Sequence, residues 1–314
     1  MVDRVNSQNL SIPKIVAIIL NTNRKMDTLA CIQSIEENHY PNIQIVVLDN
    51  ASNDGSVGAI KTRYPQVSIL VLNENKGYAG NNNVGLEFAI KLNPDWIFVL
   101  NEDIILEKDA LDLMMREASE NPKAGIIGPL VYHFDEPEII QSAGGSFTKN
   151  GDSVHISQNE KDSGQYEQPF EVPWISGCAI GVRLEAIQQA GLIDERFFYY
   201  WEETDWCFRI KAFGWKAIIV PKAKIWHKGV QRNYIPSPNV TYYATRNRLL
   251  FYKKHHISLL TRIKTIVELL RTALSWSILP KWRHLHENRD ALIQGFIDYL
   301  LQRWGQRQTT STKS

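Results

Sequence analysis

Asp95-Trp-Ile-Phe-Val-Leu-Asn-Glu-Asp103 sets an unbroken apolar run, Trp96–Leu100, directly before a polar and acidic cluster. A strand covered on both faces has this composition, and its carboxyl end is where a parallel sheet presents ligand-binding groups. The same arrangement recurs upstream. Ile15–Leu20 runs into Asn21-Thr22-Asn23-Arg24, Ile43–Asp49 into Asn50-Ala51-Ser52, and Val67–Leu72 leads to Asn75-Lys76-Gly77. Between these runs, Thr28–Glu37, Gly55–Arg63, Asn82–Leu92 and Lys108–Ser119 carry apolar residues at helical spacing, and Ala124–Gly128 reads as a further strand. Strand–helix alternation predicts an α/β fold, a mostly parallel sheet with helices on both faces.

After Pro129 the pattern changes. Gly144-Gly145, Asn150-Gly151 and the polar stretch Ser153–Gln168 read as a long, mobile loop near the site. Order returns with Val172–Val182 and a helix Leu184–Ala190, which Gly191 ends as a left-handed cap. A second helix is predicted from near Glu203 to Phe213, closed by Gly214, with Lys216–Val220 as the last strand. From Asn239 onward the chain reads as helical. Residues 1–238 are expected to form the catalytic domain and 239–314 a basic, amphipathic helical appendage.

In that appendage Leu259, Leu260, Ile263, Ile266, Val267, Leu270 and Leu274 share one helical face, while Arg262, Glu268 and Arg271 interrupt any spanning segment. Such a stripe suits packing on the catalytic domain, a homo-oligomer contact or a peripheral membrane contact.

The 314 residues are 44% apolar, enough for one large α/β unit with an appendage. Cys31, Cys178 and Cys207 form neither a disulfide framework nor a zinc motif, which fits a reducing cytoplasm. Asp3, Arg4 and Lys14 break the first apolar run, so neither a signal peptide nor a membrane span is expected. The net charge of +1 conceals an asymmetry: residues 240–314 hold 13 Lys/Arg against 4 Asp/Glu, the remainder 22 against 30. A basic tail suits an anionic membrane or a lipid-diphosphate substrate; the acidic body argues against nucleic acid as a partner.

The strand ends hold the candidate chemistry. Asn, Asp and Ser there can be ordinary turn and cap residues, yet four consecutive polar strand ends make one crevice. The turn after the first strand holds no glycine, which weakens a dinucleotide-cofactor reading. Asp103 at a strand end suffices to hold a hard divalent cation whose other ligands are phosphate and water, and its alternative role is a cap for a helix starting near Glu107. Phe197-Phe-Tyr-Tyr-Trp-Glu-Glu-Thr-Asp-Trp-Cys-Phe-Arg209 sets Glu202 and Glu203 among aromatic rings, where burial and repulsion raise carboxylate pKa values toward those of a general base. These two also suit a helix N-terminus, and Asp205 suits an i,i+4 pair with Arg209. His227, a few residues after the last predicted strand, is a further candidate ligand.

Together these segments resemble the family 2 glycosyltransferases of the GT-A fold, especially a rhamnosyltransferase-like branch that builds surface polysaccharides. Val16-Ala-Ile-Ile-Leu-Asn-Thr-Asn-Arg24, Val46-Val-Leu-Asp-Asn-Ala-Ser-Asn-Asp-Gly-Ser56 and Asn75-Lys-Gly-Tyr-Ala-Gly-Asn-Asn-Asn-Val-Gly85 are similar to its first segments. Asn101-Glu102-Asp103 stands at its D-x-D-type position with asparagine first, and Glu202-Glu203 where Glu-Asp is usual. The resemblance implies that Thr22 and Asp49 contact base and ribose and that Arg24, Lys76, Gly80 and Asn83 line the same pocket. It further implies that Asp103 and His227 bind Mn2+ or Mg2+ and that Glu203, with Glu202 as the alternative, is the base. Trp174, Gly177 and Asp205 would meet the acceptor, with Trp174-Ile-Ser-Gly-Cys-Ala179 as the acceptor-side loop.

The implied reaction is inverting transfer from a dTDP- or UDP-sugar to a saccharide or lipid-linked saccharide. Two other readings are weighed against it. A sugar-phosphate nucleotidyltransferase would need a glycine-rich triphosphate loop after the first strand, and a non-catalytic sugar-nucleotide binding protein would not need Asp103, Glu203 and His227 together.

Overall fold

The apolar runs become strands because their two faces are buried separately. In this computed structural model, which describes residues 12–229, 231–232 and 234–308, β1 (Ile15–Asn21) splits its side chains by parity. Ile15, Ala17 and Ile19 pack toward α1 (Lys25–Glu36), α2 (Ser56–Arg63) and α4 (Ala110–Glu120). Val16 and Ile18 pack toward α3 (Gly77–Lys91), α5 (Leu184–Ala190) and α6 (Glu202–Lys211). α3 approaches so closely that a Cβ on Gly85 would come within 2.8 Å of both the Ile18 and Leu48 side chains.

β2 (Ile43–Asp49), β3 (Ser68–Val71) and β4 (Trp96–Asn101) complete a parallel set with β1. The register puts Asn21 opposite Asp49 and Leu20 opposite Asn101, so three strands end at one level. β5 (Ile104–Leu106) follows at once, and α4 begins only after Asp109; Asp103 therefore caps no helix.

β6 (Ala124–His133) is longer than its sequence signal. β7 (Ile140–Ser142) pairs with it, β8 (Gly145–Phe147) and β9 (Ser153–His155) form a separate hairpin, and β10 (Phe170–Glu171) joins the far edge. β11 (Ala179–Arg183) is antiparallel to both β4 and β6 and joins the two halves of the sheet. β12 (Lys216–His227) lies parallel to β6. Among the described residues the main sheet has 10 strands, ordered β10-β12-β6-β11-β4-β1-β2-β3, with β5 on β12 and β7 on β6.

Three local expectations are corrected. Residues 153–168 are not an unstructured loop: β9 pairs with β8, Ile139 bridges Lys161, and Tyr166 stacks on Phe170 at 5.0 Å. Two of its three apolar side chains, Ile156 and Tyr166, anchor it on the cluster around Leu130 and Tyr132, a contact that carries no periodicity. α3 starts five residues before Asn82, so the glycine- and asparagine-rich segment is helical. β12 passes an irregularity between Val220 and Lys224 and continues to His227, which ends the strand instead of following it. Asp3 and Arg4 lie outside the described residues.

The C-terminal chain forms α7 (Pro238–Lys254), α8 (Leu259–Ile278), a 3-10 turn at Pro280–Leu285 and α9 (His286–Leu300). α7 is no remote appendage. The aromatic segment before α6 holds Phe198, Tyr200 and Trp201 at φ of 62°, 68° and 74°, a left-handed conformation costly for bulky residues. Asn247 Nδ2 lies 2.7–2.8 Å from the carbonyls of Phe197, Tyr199 and Tyr200, sharing its protons among them. Arg246, fully buried, donates to the carbonyls of Arg196, Phe197 and Gly305.

Buried carbonyls deprived of a donor cost about 1–3 kcal/mol each. Asn247→Leu is therefore expected to lower unfolding stability by about 2–5 kcal/mol. Urea unfolding checks this, and a loss below about 1 kcal/mol would contradict the clamp.

Candidate active site

A crevice of 720 Å³ opens beyond the ends of β1, β2 and β4. Thr22, Arg24, Asn50, Asn75, Asn81 and Asp103 line it from the sheet side. Of the residues expected at the nucleotide, the structure brings Thr22, Arg24 and Asp103 here and places four others differently. Asp49, 1% exposed, braces the turn by accepting from Asn21 Nδ2 at 2.6 Å and Ser52 N at 3.0 Å. Asn83 is tied to both backbone groups of Ile193 and to Glu195. Gly80 faces the Lys76 and Glu195 side chains, and Lys76 pairs with Glu74 at 3.4 Å. For Lys76, Gly80 and Asn83 the early start of α3 is the cause: one turn past Gly77 it is Asn81 that reaches the crevice, bonded to Lys76 N at 3.0 Å and Asn75 Oδ1 at 3.2 Å. Asn81 and Asn75 were legible only as polar positions, because their facing depends on where the helix begins.

Strand pairing sets His227 opposite Ile104 and so beside Asp103. Nε2 of His227 lies 3.2 Å from Asp103 Oδ1 and 3.3 Å from Asn101 Nδ2. The other ring nitrogen, Nδ1, is 2.7 Å from Gln141 Oε1, an oxygen that can only accept, so Nδ1 carries a proton. Asp103 Oδ1 is buried without a hydrogen bond. A ring nitrogen and a carboxylate oxygen thus converge across a gap that calls for positive charge, with the imidazole oriented from behind as metal-bound imidazoles are. A Cβ on Gly229 would sit 2.8 Å from Asp103 Oδ2 and 3.0 Å from His227 Nε2, filling that space. Gly229 is a site position the sequence reading passed over.

Among the described residues no three His, Cys, Asp or Glu side chains gather into a metal cluster. The pair fits a hard ion only if phosphate and water complete its shell. Arg24 lies 3.5 Å from Asp103 Oδ2 and 3.8 Å from Glu102 Oε1. Burial pushes Asp103 up; a second proton, on His227 Nε2, would outweigh it together with Arg24 and hold the carboxyl below its usual range. Burial, with Asp103 adding to it, raises Glu102 to about 7.

A second pocket of 360 Å³ adjoins the crevice, sharing Tyr78, Asn101, Tyr199, Tyr200 and His227 with it. Trp174, Gly177, Glu202 and Glu203 line this pocket, together with His155 and Ser153 from the segment read as a mobile loop. His155 sits edge-on to Trp174 at 4.9 Å, and the Tyr78 hydroxyl donates to the Gly177 carbonyl. Glu202 and Glu203 open α6, where the helix N-terminus favours an anion. Burial nevertheless dominates. It lifts Glu203 to about 7, and with repulsion from Glu203 it lifts Glu202 further. Each carboxyl keeps one buried oxygen without a hydrogen bond.

Asp205, expected at an acceptor hydroxyl, is fully buried and occupied by Arg209 at 2.8 Å, Lys254 at 2.8 Å and His255 at 2.8 Å. It fastens α6 to α7 and has no oxygen to offer a substrate.

A sequence profile described as Glycosyl transferase family 2 matches residues 16–191, more than half of the chain. N-acetylglucosaminyl-diphospho-decaprenol L-rhamnosyltransferase of Mycobacterium tuberculosis is 30% identical over 207 residues, 59% of this chain and 66% of that protein. The match spans just under two thirds of that relative's length. The dTDP-rhamnosyl transferase RfbF of Shigella flexneri is 25% identical over 83% of this chain and 87% of its own. Among solved structures, the mannosyltransferase PcManGT of Pyrobaculum calidifontis, in complex with GDP-Man and Mn2+, superposes with a TM-score of 0.57 at 15% identity. That superposition covers 93% of this chain and 88% of the other. The chain belongs to family 2 of the glycosyltransferases, carried on the GT-A fold, and is similar to rhamnosyltransferases of that family.

Proposed function

We propose that this protein transfers a sugar from a nucleoside-diphosphate sugar, dTDP-rhamnose being the first donor to test, to a hydroxyl of a saccharide or lipid-linked saccharide in surface polysaccharide synthesis. The observation that carries the reading is the convergence of Asp103 Oδ1 and His227 Nε2 on a crevice continuous with the pocket of Glu202 and Glu203. The activities of the mycobacterial and Shigella relatives support rhamnose and a diphosphate-linked acceptor. Residues 1–238 form the GT-A body in this reading, and 239–314 the helical region that completes it.

Asp103 and His227 would hold Mn2+ or Mg2+, which when bound offsets charge on the departing diphosphate. Thr22 and Arg24 border the donor; Trp174 and Gly177 border the acceptor. Glu203, with Glu202 as the alternative, accepts the proton of the acceptor hydroxyl as its oxygen bonds to the anomeric carbon and the bond to diphosphate breaks. One displacement with one base inverts the anomeric centre.

Asp103→Ala is expected to abolish metal-dependent binding of dTDP or UDP as well as turnover. Gly229→Ala, which keeps both side chains but intrudes between them, should do the same. Glu203→Gln should leave nucleotide affinity near normal while transfer falls by about 10²–10⁴-fold. Calorimetric titration with Mn2+ beside transfer rates checks all three, and Glu202→Gln decides between the two glutamates. Undiminished binding by Asp103→Ala would remove this donor site.

A base raised to about 7 must be deprotonated to act, so transfer should climb with pH through about 7 and level off above it. Stability should move the other way. The folded state holds its proton in the interval between the ordinary carboxylate pKa and about 7, so stability is fully present below that interval and declines as pH rises through it. Glu203→Gln should flatten the rate profile and remove only part of the stability slope, since Glu102 and Glu202 are raised as well; thermal unfolding and initial rates from pH 5 to 9 provide the measurement.

Among the described residues no helix is long and apolar enough to cross a membrane. The stripe on α8 does not pack on the catalytic body, because Thr265 and Arg262 face inward, bonded to Arg248 and the Tyr252 carbonyl. Leu259, Leu260, Ile263, Val267, Leu270 and Leu274 are exposed, and Lys264 and Arg271 lie beside them. The basic residues beside the stripe support peripheral contact with an anionic bilayer. Co-sedimentation with phosphatidylglycerol vesicles should exceed that with phosphatidylcholine and fall in Leu270→Asp/Leu274→Asp. Unchanged vesicle binding with a smaller oligomer would instead make the stripe a subunit contact.

A further inference from the structure

The last described segment, residues 301–308, turns back from the end of α9 and reaches the donor crevice, where Gln306 and Arg307 join the lining. Arg307 is held firmly there. Its backbone N donates to the Tyr243 hydroxyl at 2.8 Å, Nε to Gln294 Oε1 at 2.8 Å and Nη1 to Asn239 Oδ1 at 2.9 Å. The guanidinium also lies over the Tyr242 ring, 5.3 Å from its centroid.

Each of these partners is neutral. Among the described residues no carboxylate pairs with Arg307, whereas Arg24, the other arginine of the crevice, pairs with Asp27, Glu102 and Asp103. The two recorded side-chain bonds engage two of a guanidinium's five N–H donors. A fixed cation with spare donors lines the same cavity as an acidic ion-binding pair. A second cation serves no obvious purpose in holding the fold at that wall, since uncharged partners already satisfy the segment. It does suit an anion that arrives with the substrate, and a planar guanidinium matches two phosphate oxygens at once.

We propose that Arg307 is a diphosphate-binding residue of the crevice, supplied by the C-terminal segment and acting opposite the Asp103–His227 pair. The inference rests on the glycosyltransferase reading, and the shared ligand chemistry is a diphosphate ester. That diphosphate belongs either to the sugar-nucleotide donor or to a lipid-linked acceptor.

The test uses the full-length protein with Arg307→Gln and Arg307→Lys. Titration with dTDP and UDP, and with dTMP and UMP, in the presence of Mn2+ reads the donor arm. Rates with a prenyl-diphosphate-linked saccharide and with the same saccharide as an octyl glycoside read the acceptor arm. For a donor contact, Arg307→Gln should weaken nucleoside diphosphate binding by roughly 10–100-fold, the range of one charge-assisted hydrogen bond, and leave monophosphate binding unchanged. For an acceptor contact, nucleotide affinity should hold while KM rises by a similar factor for the diphosphate-linked acceptor only. Arg307→Lys, which keeps the charge without the planar fork, should recover part of either loss.

Equal loss for diphosphate and monophosphate, or for both acceptors, would make Arg307 a structural residue and overturn the proposal. Unchanged behaviour in both arms would overturn it as well. A wild-type protein that binds no nucleotide would fail earlier, at the glycosyltransferase reading itself.

Discussion

The arrangement depends on the antiparallel strand in the middle of the sheet. β11 is antiparallel to both of its neighbours, β4 and β6, and without it the two parallel halves of the sheet would not share hydrogen bonds. Its pairing of Ala179 with Leu100, reinforced by Asn101 N donating to the Cys178 carbonyl at 2.9 Å, brings Trp174–Cys178 beside the end of β4. β12 then returns parallel to β6, and its far end meets β5. Asp103, His227 and the loop ending at Cys178 come from distant parts of the chain, yet backbone ladders fix their separation. That kind of precision is harder to obtain from loops alone.

Much of this was legible in the sequence. Apolar runs covered on both faces, polar strand ends and the helical spacing between them led to the α/β architecture, and the Asp103, Glu202 and Glu203 segments led to the crevice and pocket. What stayed hidden shares a cause: it depends on contacts between distant residues. The facing of Asn81 against Gly80 and Asn83 turns on where α3 begins, which tertiary packing decides. The order in residues 153–168 comes from two side chains seated on β6, and a pair of contacts leaves no period to detect. Asp205 looked like substrate chemistry because its neighbours did, but the lysine and histidine that occupy it come from the C-terminal end of α7 and the residue after it, 49 and 50 residues away.

The site also shows how unfavourable electrostatics are tolerated. Glu202, Glu203 and the partly buried Glu102 are carboxyls whose ionisation burial penalises, whereas Asp103 has Arg24 beside it to oppose the same penalty. The aromatic segment before α6 adds backbone strain at three consecutive or near-consecutive positions, Phe198, Tyr200 and Trp201. Nearby structure offsets this locally through Asn247 and Arg246. The surrounding core is apolar and close-packed, so the cost is confined to the few residues that meet the two pockets.

That clamp carries a consequence for biosynthesis. Phe197 and Asn247 are 50 positions apart, so the strained aromatic segment leaves the ribosome before the residue that holds its carbonyls has been added. At about 5–20 residues per second, the interval is roughly 3–10 s. Through that interval the sheet can assemble, but the loop bearing the two glutamates has no partner to fix its shape. The crevice acquires its last wall later still, with the segment at Arg307. The nascent chain can therefore fold its scaffold before the segments that complete its two pockets have been made.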